Sequence, residues 1–150
     1  MNMVRYMKVL LLAILPALFF SCDRDRGIIF NGNNGQTYGI IDASINGYNW
    51  SANQGSATEF NFALTIYGSA SDGSSLEIVI SPYNGVGTYS ANSPARITFY
   101  DADGSQYNAA TGTVTVTADM VDMVQGNFSF SAYSSSQPID MSGTFSVYFQ

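Results

Sequence analysis

Asp101 and Asp103 stand two residues apart, with Gly104 and Ser105 directly behind them. Carboxylates at that spacing, with a glycine for a sharp turn, could begin a calcium loop that coordinates a hard cation through oxygen. A full loop of the EF-hand type needs further oxygen ligands and a distal glutamate, and here the next acid is Asp119. The favoured reading is a β-turn in which Asp and Gly supply turn geometry; Asp101 and Asp103 as a metal pair is the alternative. The second chemically suggestive group is aromatic. Tyr48 and Trp50 are two apart, so on a strand they share a face, and Tyr83, Tyr89, Tyr100 and Tyr107 follow. Sugars stack on exposed rings while Asn and Asp bond their hydroxyls, which makes Tyr48, Trp50, Tyr89 and Tyr100 the candidate ligand-binding set. The competing reading puts Trp50 in the core and the tyrosines at sheet rims with their hydroxyls wet. Asp119-Met120-Val121-Asp122 is a third candidate, an acidic tip between two strand-like segments. It reads better as a solvated hairpin loop with Met120, Val121 or Met123 folded back on the core.

The missing residue types narrow the chemistry further. The chain has no histidine, which removes the commonest general acid–base group and the commonest zinc ligand. It has one cysteine, Cys22, and two glutamates, Glu59 and Glu77, that no motif brackets as an acid–base pair. Two carboxylates suffice for a glycosidase, so a carboxylate-based hydrolase stays as a remote alternative. No catalytic residue and no cofactor is expected.

Cys22 carries a different message. Arg5 and Lys8 precede an apolar run from Val9 to Phe20, and Ser21 stands just before the cysteine. A basic start, an apolar stretch and a small residue at the cut mark a secretory signal peptide. The run is short of the ~20 residues that span a bilayer, and Pro16 interrupts it. Leu18-Phe19-Phe20-Ser21-Cys22 resembles a bacterial lipobox, whose cysteine becomes the acylated first residue of the mature protein. That resemblance implies a cleaved signal at 1–21, a lipidated N-terminus and tether at 22–37, and a folded domain at 38–150. The tether Asp23-Arg24-Asp25-Arg26 resembles an acidic surface-export signal diluted by arginine, so either a periplasmic or a cell-surface position follows.

After such a cut, three arginines (Arg24, Arg26, Arg96) face eleven acidic residues, a net charge of about −8. A body holding one arginine and no lysine cannot neutralise a phosphate backbone, which excludes nucleic acid as a partner. It also excludes electrostatic adhesion to anionic lipid. The membrane would be reached through the lipid, and a glycan or an envelope protein remains as a possible partner.

The elements that must position these residues are strands. Ile28-Ile29-Phe30 reads as a short first strand. Ile41, Ala43 and Ile45 alternate with polar neighbours, Asn46-Gly47 is a tight-turn signal, and Tyr48 to Ala52 returns as the second arm. Phe60, Phe62, Leu64 and Ile66 then read as one face of the next strand. Asp72-Gly73 turns the chain into Leu76, Ile78 and Ile80, and Pro82 ends that strand. Gly87-Thr88-Tyr89, then Ile97 and Phe99, Val114 and Val116, Phe128 and Phe130, and Phe145 to Phe149 continue the pattern. A two-residue period with a turn every 8–15 residues predicts an all-β, antiparallel β-sandwich or small flattened barrel of about eight or nine strands.

Four stretches carry a family resemblance: Ala43-Ser44-Ile45-Asn46-Gly47-Tyr48-Asn49-Trp50-Ser51-Ala52, Gly87-Thr88-Tyr89, Gly112 to Thr117 running on to Gly126 to Ala132, and Ser142-Gly143-Thr144-Phe145-Ser146-Val147. In this order they resemble a family of small Bacteroidetes-type lipoproteins whose domain has no assigned function. The resemblance implies a β-sandwich on a lipid tether at the outer membrane, and it brings no catalytic residues. The expectation is a lipid-anchored, non-enzymatic binding or structural module of the envelope, with a carbohydrate-binding module as the alternative.

Overall fold

The computed structural model describes residues 38–134 and 137–150. Cys22, the segment expected to be cleaved at 1–21, the tether expected at 22–37 and the strand expected at Ile28-Ile29-Phe30 lie outside the described residues. Nine strands run through the described residues: β1 (Gly39–Ile45), β2 (Tyr48–Phe60), β3 (Ala63–Ser69), β4 (Ser75–Ile80), β5 (Gly87–Ser90), β6 (Ala95–Tyr100), β7 (Gln106–Asp119), β8 (Met123–Tyr133) and β9 (Pro138–Phe149).

The domain is all-β and antiparallel as expected, and between sandwich and barrel it takes the closed form. β1, β2, β3, β4, β6, β7, β8 and β9 join into a ring, completed by the β7–β8 pairing that runs from Asn108↔Tyr133 to Asp119↔Val124. Closure removes the exposed edges that an open sheet would leave. β5 lies outside the ring order, pairing with the lower half of β7 through Tyr89↔Val114, while β6 pairs with its upper end through Phe99↔Tyr107. β1 separates β2 from β9 as far as Gly39. Beyond it, β2 and β9 meet directly in a short parallel pairing, Ser56↔Tyr148 and Ala57↔Phe149.

Alternation places the core inside the barrel, because successive side chains on a strand point to opposite faces. Leu64 and Ile66 of β3 oppose Ile80 and Ile78 of β4, and all four are fully buried, as are Ile41, Val114 and Val147. β7 must bend to serve two partners on one edge. It does so at Gly112, where φ is +139° and where a Cβ would overlap the Ser129 carbonyl oxygen and the Phe130 backbone.

One stretch departs from the sequence reading. β2 runs on to Phe60 instead of ending near Ala52, and Phe60 and Phe62 are exposed at 75% and 80% rather than facing inward with Leu64 and Ile66. The chain reverses at Asn61-Phe62, both with positive φ (49° and 59°). That conformation matches the twist of a two-residue hairpin, and Phe is an unusual residue to hold it.

Because the strands alternate in direction, the connections sort to two poles. The upper pole gathers the turns at 46–47, 70–74 and 101–105, with the end of β8 and the start of β9. The lower pole gathers the Asn61-Phe62 turn, the 81–86 loop, the 120–122 loop and the end of β9. Lower-pole hydrogen bonds tie these together: Tyr83 N–H donates to Phe62 O at 2.7 Å, Phe149 N–H to Asp122 O at 2.9 Å and Gln150 N–H to Ala57 O at 3.0 Å. The 120–122 connection is a solvated hairpin loop as expected, with Met120 and Val121 exposed and Met123 the half-buried one of the three.

Candidate functional site

The upper pole encloses an open cup of about 330 Å³. Its floor is aromatic. Trp50 meets Phe99 edge-to-face, with ring centroids 5.8 Å apart at 85°, and Phe99 packs on Tyr107 at 6.2 Å. Edge-to-face geometry sets the positive ring edge against the negative face and adds to the area buried. The register delivers these rings: Phe99 lies opposite Tyr107 on β6 and β7, and opposite Leu76 on β4. The rim is polar, formed by Asn46, Asn49, Asp72, Asp101 and Gln137, and Tyr48 stands at the lip, 80% exposed.

Floor and rim are linked by a hydrogen-bond chain. The indole N–H of Trp50 donates to Ser74 Oγ at 2.7 Å, and Ser74 Oγ–H donates to Asp72 Oδ1 at 2.5 Å. Ser74 N–H donates to the same Oδ1 at 2.9 Å. The β3–β4 turn makes this possible: Ala70 N–H bonds Ser74 O, and Gly73 takes φ +93° so that the Asp72 carboxylate folds back over Ser74. The Ser74 hydroxyl, then its backbone N–H, hold the Asp72 carboxyl below the usual carboxylate range. Hydrogen bonds to the charged form have that effect, so Asp72 stays ionised at neutral pH.

The β1–β2 turn is fixed in a similar way. Asn46 and Gly47 take φ of 50° and 87°, the two positive values a tight hairpin turn requires. Asn46 N–H donates to Asp140 O, and Asp140 N–H donates to Asn46 Oδ1 at 2.8 Å. Tyr48, the first residue of β2, is therefore carried on a turn pinned to β9.

The residues singled out from the sequence divide among several places. Tyr48 and Trp50 both line the cup, as two residues on one strand face should, but Trp50 is 8% exposed and forms floor, not platform. Tyr89 lies in the lower half and is buried. Its hydroxyl donates to Gly85 O at 2.6 Å and accepts from Asn84 N–H, and its ring lies beside Tyr83. It holds the 81–86 loop and has no part in the cup. Tyr100 follows Phe99 and so faces outward, half-buried and away from the lining.

Asp101 reaches the cup rim, whereas Asp103 closes the β6–β7 turn by accepting from Ser105 N–H at 2.8 Å. That bond, then one from the Ser105 side chain, keeps its carboxyl below the usual range. Asp101 bonds the backbone of Ala102, and Gly104 N–H closes the turn on Asp101 O. Among the described residues no three His, Cys, Asp or Glu side chains converge to hold a metal ion. Asp72, Ser74 and Phe99 are site residues that reading the sequence did not assign. The usable signal was that alternate hairpin turns of an antiparallel barrel share a pole, which brings Asn46-Gly47, Asp72-Gly73 and Asp101 together.

Residues 37–148 match the family model described as a domain of unknown function, DUF6252. No curated protein and no solved structure matches the chain.

Proposed function

We propose that this chain, which belongs to the DUF6252 family of domains of unknown function, is a lipid-anchored, non-enzymatic binding module of the bacterial cell envelope. Its ligand site is the upper cup. The observation that carries the reading is the construction of that cup: an aromatic floor, a rim of two carboxylates and three amides, and one solvent-facing tyrosine at the lip. Its volume lies at the small end of the ~300–1,000 Å³ range of ligand pockets. Asp72 and Asp101 line it and no Lys, Arg or His does, so it disfavours anionic groups. Carboxylates and amides suit hydroxyl donors, and Tyr48 suits an apolar sugar face. A neutral carbohydrate is the ligand class this chemistry fits best.

A hydrolytic reading draws little support from the same residues. A glycosidase acid needs a raised pKa, and Asp72 is held ionised by Ser74. The absence of histidine throughout the chain points the same way.

The anchoring part rests on Cys22 and the apolar run before it. Metabolic labelling with an alkyne fatty acid tests it: the wild-type chain takes up label, and Cys22→Ser does not. Equal labelling of both would remove the anchor, and protease shaving of intact cells then separates surface from periplasm. The ligand part is tested on a glycan array with the Cys22→Ser chain. Binding to neutral glycans that is lost in Tyr48→Ala supports the cup, and an array with no binding removes the carbohydrate reading.

A further inference from the structure

We infer that the lower pole of the barrel docks into the lipid surface, so that the cup opens away from the membrane. This rests on the anchoring at Cys22 proposed above. Among the described residues, the six most exposed large apolar side chains, each at 62% or more, separate by type between the poles. At the upper pole they are tyrosines, Tyr48 and Tyr133, whose hydroxyls suit water. At the lower pole they are Phe60, Phe62, Val86 and Val121, which carry no hydroxyl, with the less exposed Met120 and Tyr38 on the same side. They sit on three adjacent connections joined by the Tyr83–Phe62 backbone bond and by the bonds of the last two residues to Asp122 and Ala57.

Exposed Phe on a turn does not serve this fold. The turn positions at 61–62 need positive φ, for which Asn and Gly are the usual residues, and Phe62 holds one with its ring in solvent. Apolar tips of this kind enter the boundary between headgroups and acyl chains.

The occupant follows from where the remaining chain enters. β1 begins at Gly39, beside Gly55 and Ser146, and runs upward to Ile45. The chain from Cys22 therefore joins the barrel on its lower side, with Tyr38 and Ile40 also exposed there. Fifteen residues lie between Cys22 and Tyr38, and a chain of that length reaches at most about 55 Å. A lipid at Cys22 thus joins the barrel from the side that carries these tips. Glu59, Asp119 and Asp122 lie at the same pole with Arg96, a balance that suits zwitterionic lipid better than an anionic surface.

Site-directed spin labelling of the full chain in phosphatidylcholine vesicles tests this. Acylation consumes the only native cysteine, so Val121→Cys or Tyr48→Cys then offers a single thiol. The expected result is a nitroxide at 121 that becomes accessible to oxygen and shielded from a water-soluble nickel chelate, at a depth of about 5–10 Å. A nitroxide at 48 stays in water. Phe60→Ser with Phe62→Ser returns the label at 121 to water while the chain stays on the vesicles.

A label at 121 that remains water-accessible overturns the inference. So does spin–spin broadening at 121 without lipid, which would put a second copy on this pole. Intact mass reports acylation separately. If Cys22 is unmodified, the anchoring reading fails, and the same comparison in a Cys22→Ser background, which again leaves a single thiol, still decides insertion.

Discussion

Trp50 and Ser74 are 24 residues apart in sequence, and the indole N–H of the first donates to the hydroxyl of the second at 2.7 Å. The bond spans the β1–β2 and β3–β4 ends of the barrel and couples the cup floor to its acidic rim through Asp72. Ser74 is 1% exposed, so water cannot replace it easily.

Ser74→Ala leaves a buried indole N–H without its acceptor, at an expected cost of about 1–3 kcal/mol. Urea unfolding followed by circular dichroism measures it. In a Trp50→Phe background the cost should shrink by at least about 0.5 kcal/mol, because the lost partner is already gone. An equal cost in both backgrounds would show that the bond contributes nothing.

The Asp72 carboxyl adds a pH dependence whose sign is set by its lowered pKa. A group with a depressed folded pKa stabilises the fold above its unfolded value, near the ordinary carboxylate value of 3.8, and loses that contribution as pH falls through the folded pKa. Wild type should therefore exceed Asp72→Asn in stability at pH 7. The gap should close as pH falls below 3.8. Denaturation midpoints at pH 7, 5, 4 and 3 test this, and a gap of constant size across the series rules out the linkage.

Much of the fold was legible because alternation survives wherever a strand has one wet face. Leu76, Ile78 and Ile80, or Val114 and Val116, could hardly face anywhere but inward. Phe60 and Phe62 show the limit. They share parity with Leu64 and Ile66, and parity alone does not reveal that the chain reverses between them, since Asn61-Phe62 lacks the glycine that marks such a turn. The cup was half legible. Tyr48 and Trp50 share a face, but exposure depends on distance from the barrel mouth, a property of the closed ring. Asp72 looked like turn chemistry, and it is; its second role arises only because the β3–β4 turn sits beside β2.

Gly112 and Gly73 separate two reasons for a glycine. At Gly73, φ is +93° and the space around a Cβ is open, so Gly73→Ala carries backbone strain alone, about 1 kcal/mol. At Gly112 a Cβ would overlap the backbone of Ser129 and Phe130 as well. Gly112→Ala should cost at least about 2 kcal/mol more than Gly73→Ala, because β7 and β8 must part to admit it. Thermal unfolding of the two variants side by side is the check. Equal losses would mean that β7 bends without needing the close approach.

Tyr48 and Tyr89, both drawn from the sequence as ligand-binding candidates, should respond in opposite ways. Tyr89→Phe removes a hydroxyl that donates to Gly85 O and accepts from Asn84 N–H inside the lower half. It should lower stability by about 1–2 kcal/mol and leave glycan binding at the cup unchanged. Tyr48→Ala removes a ring that is 80% exposed. It should move stability by no more than about 0.5 kcal/mol while abolishing binding, because the proposed site stacks the sugar on that ring. Chemical denaturation and array binding on the same two variants give a two-by-two outcome. Binding lost in Tyr89→Phe and kept in Tyr48→Ala would move the ligand site away from the upper cup.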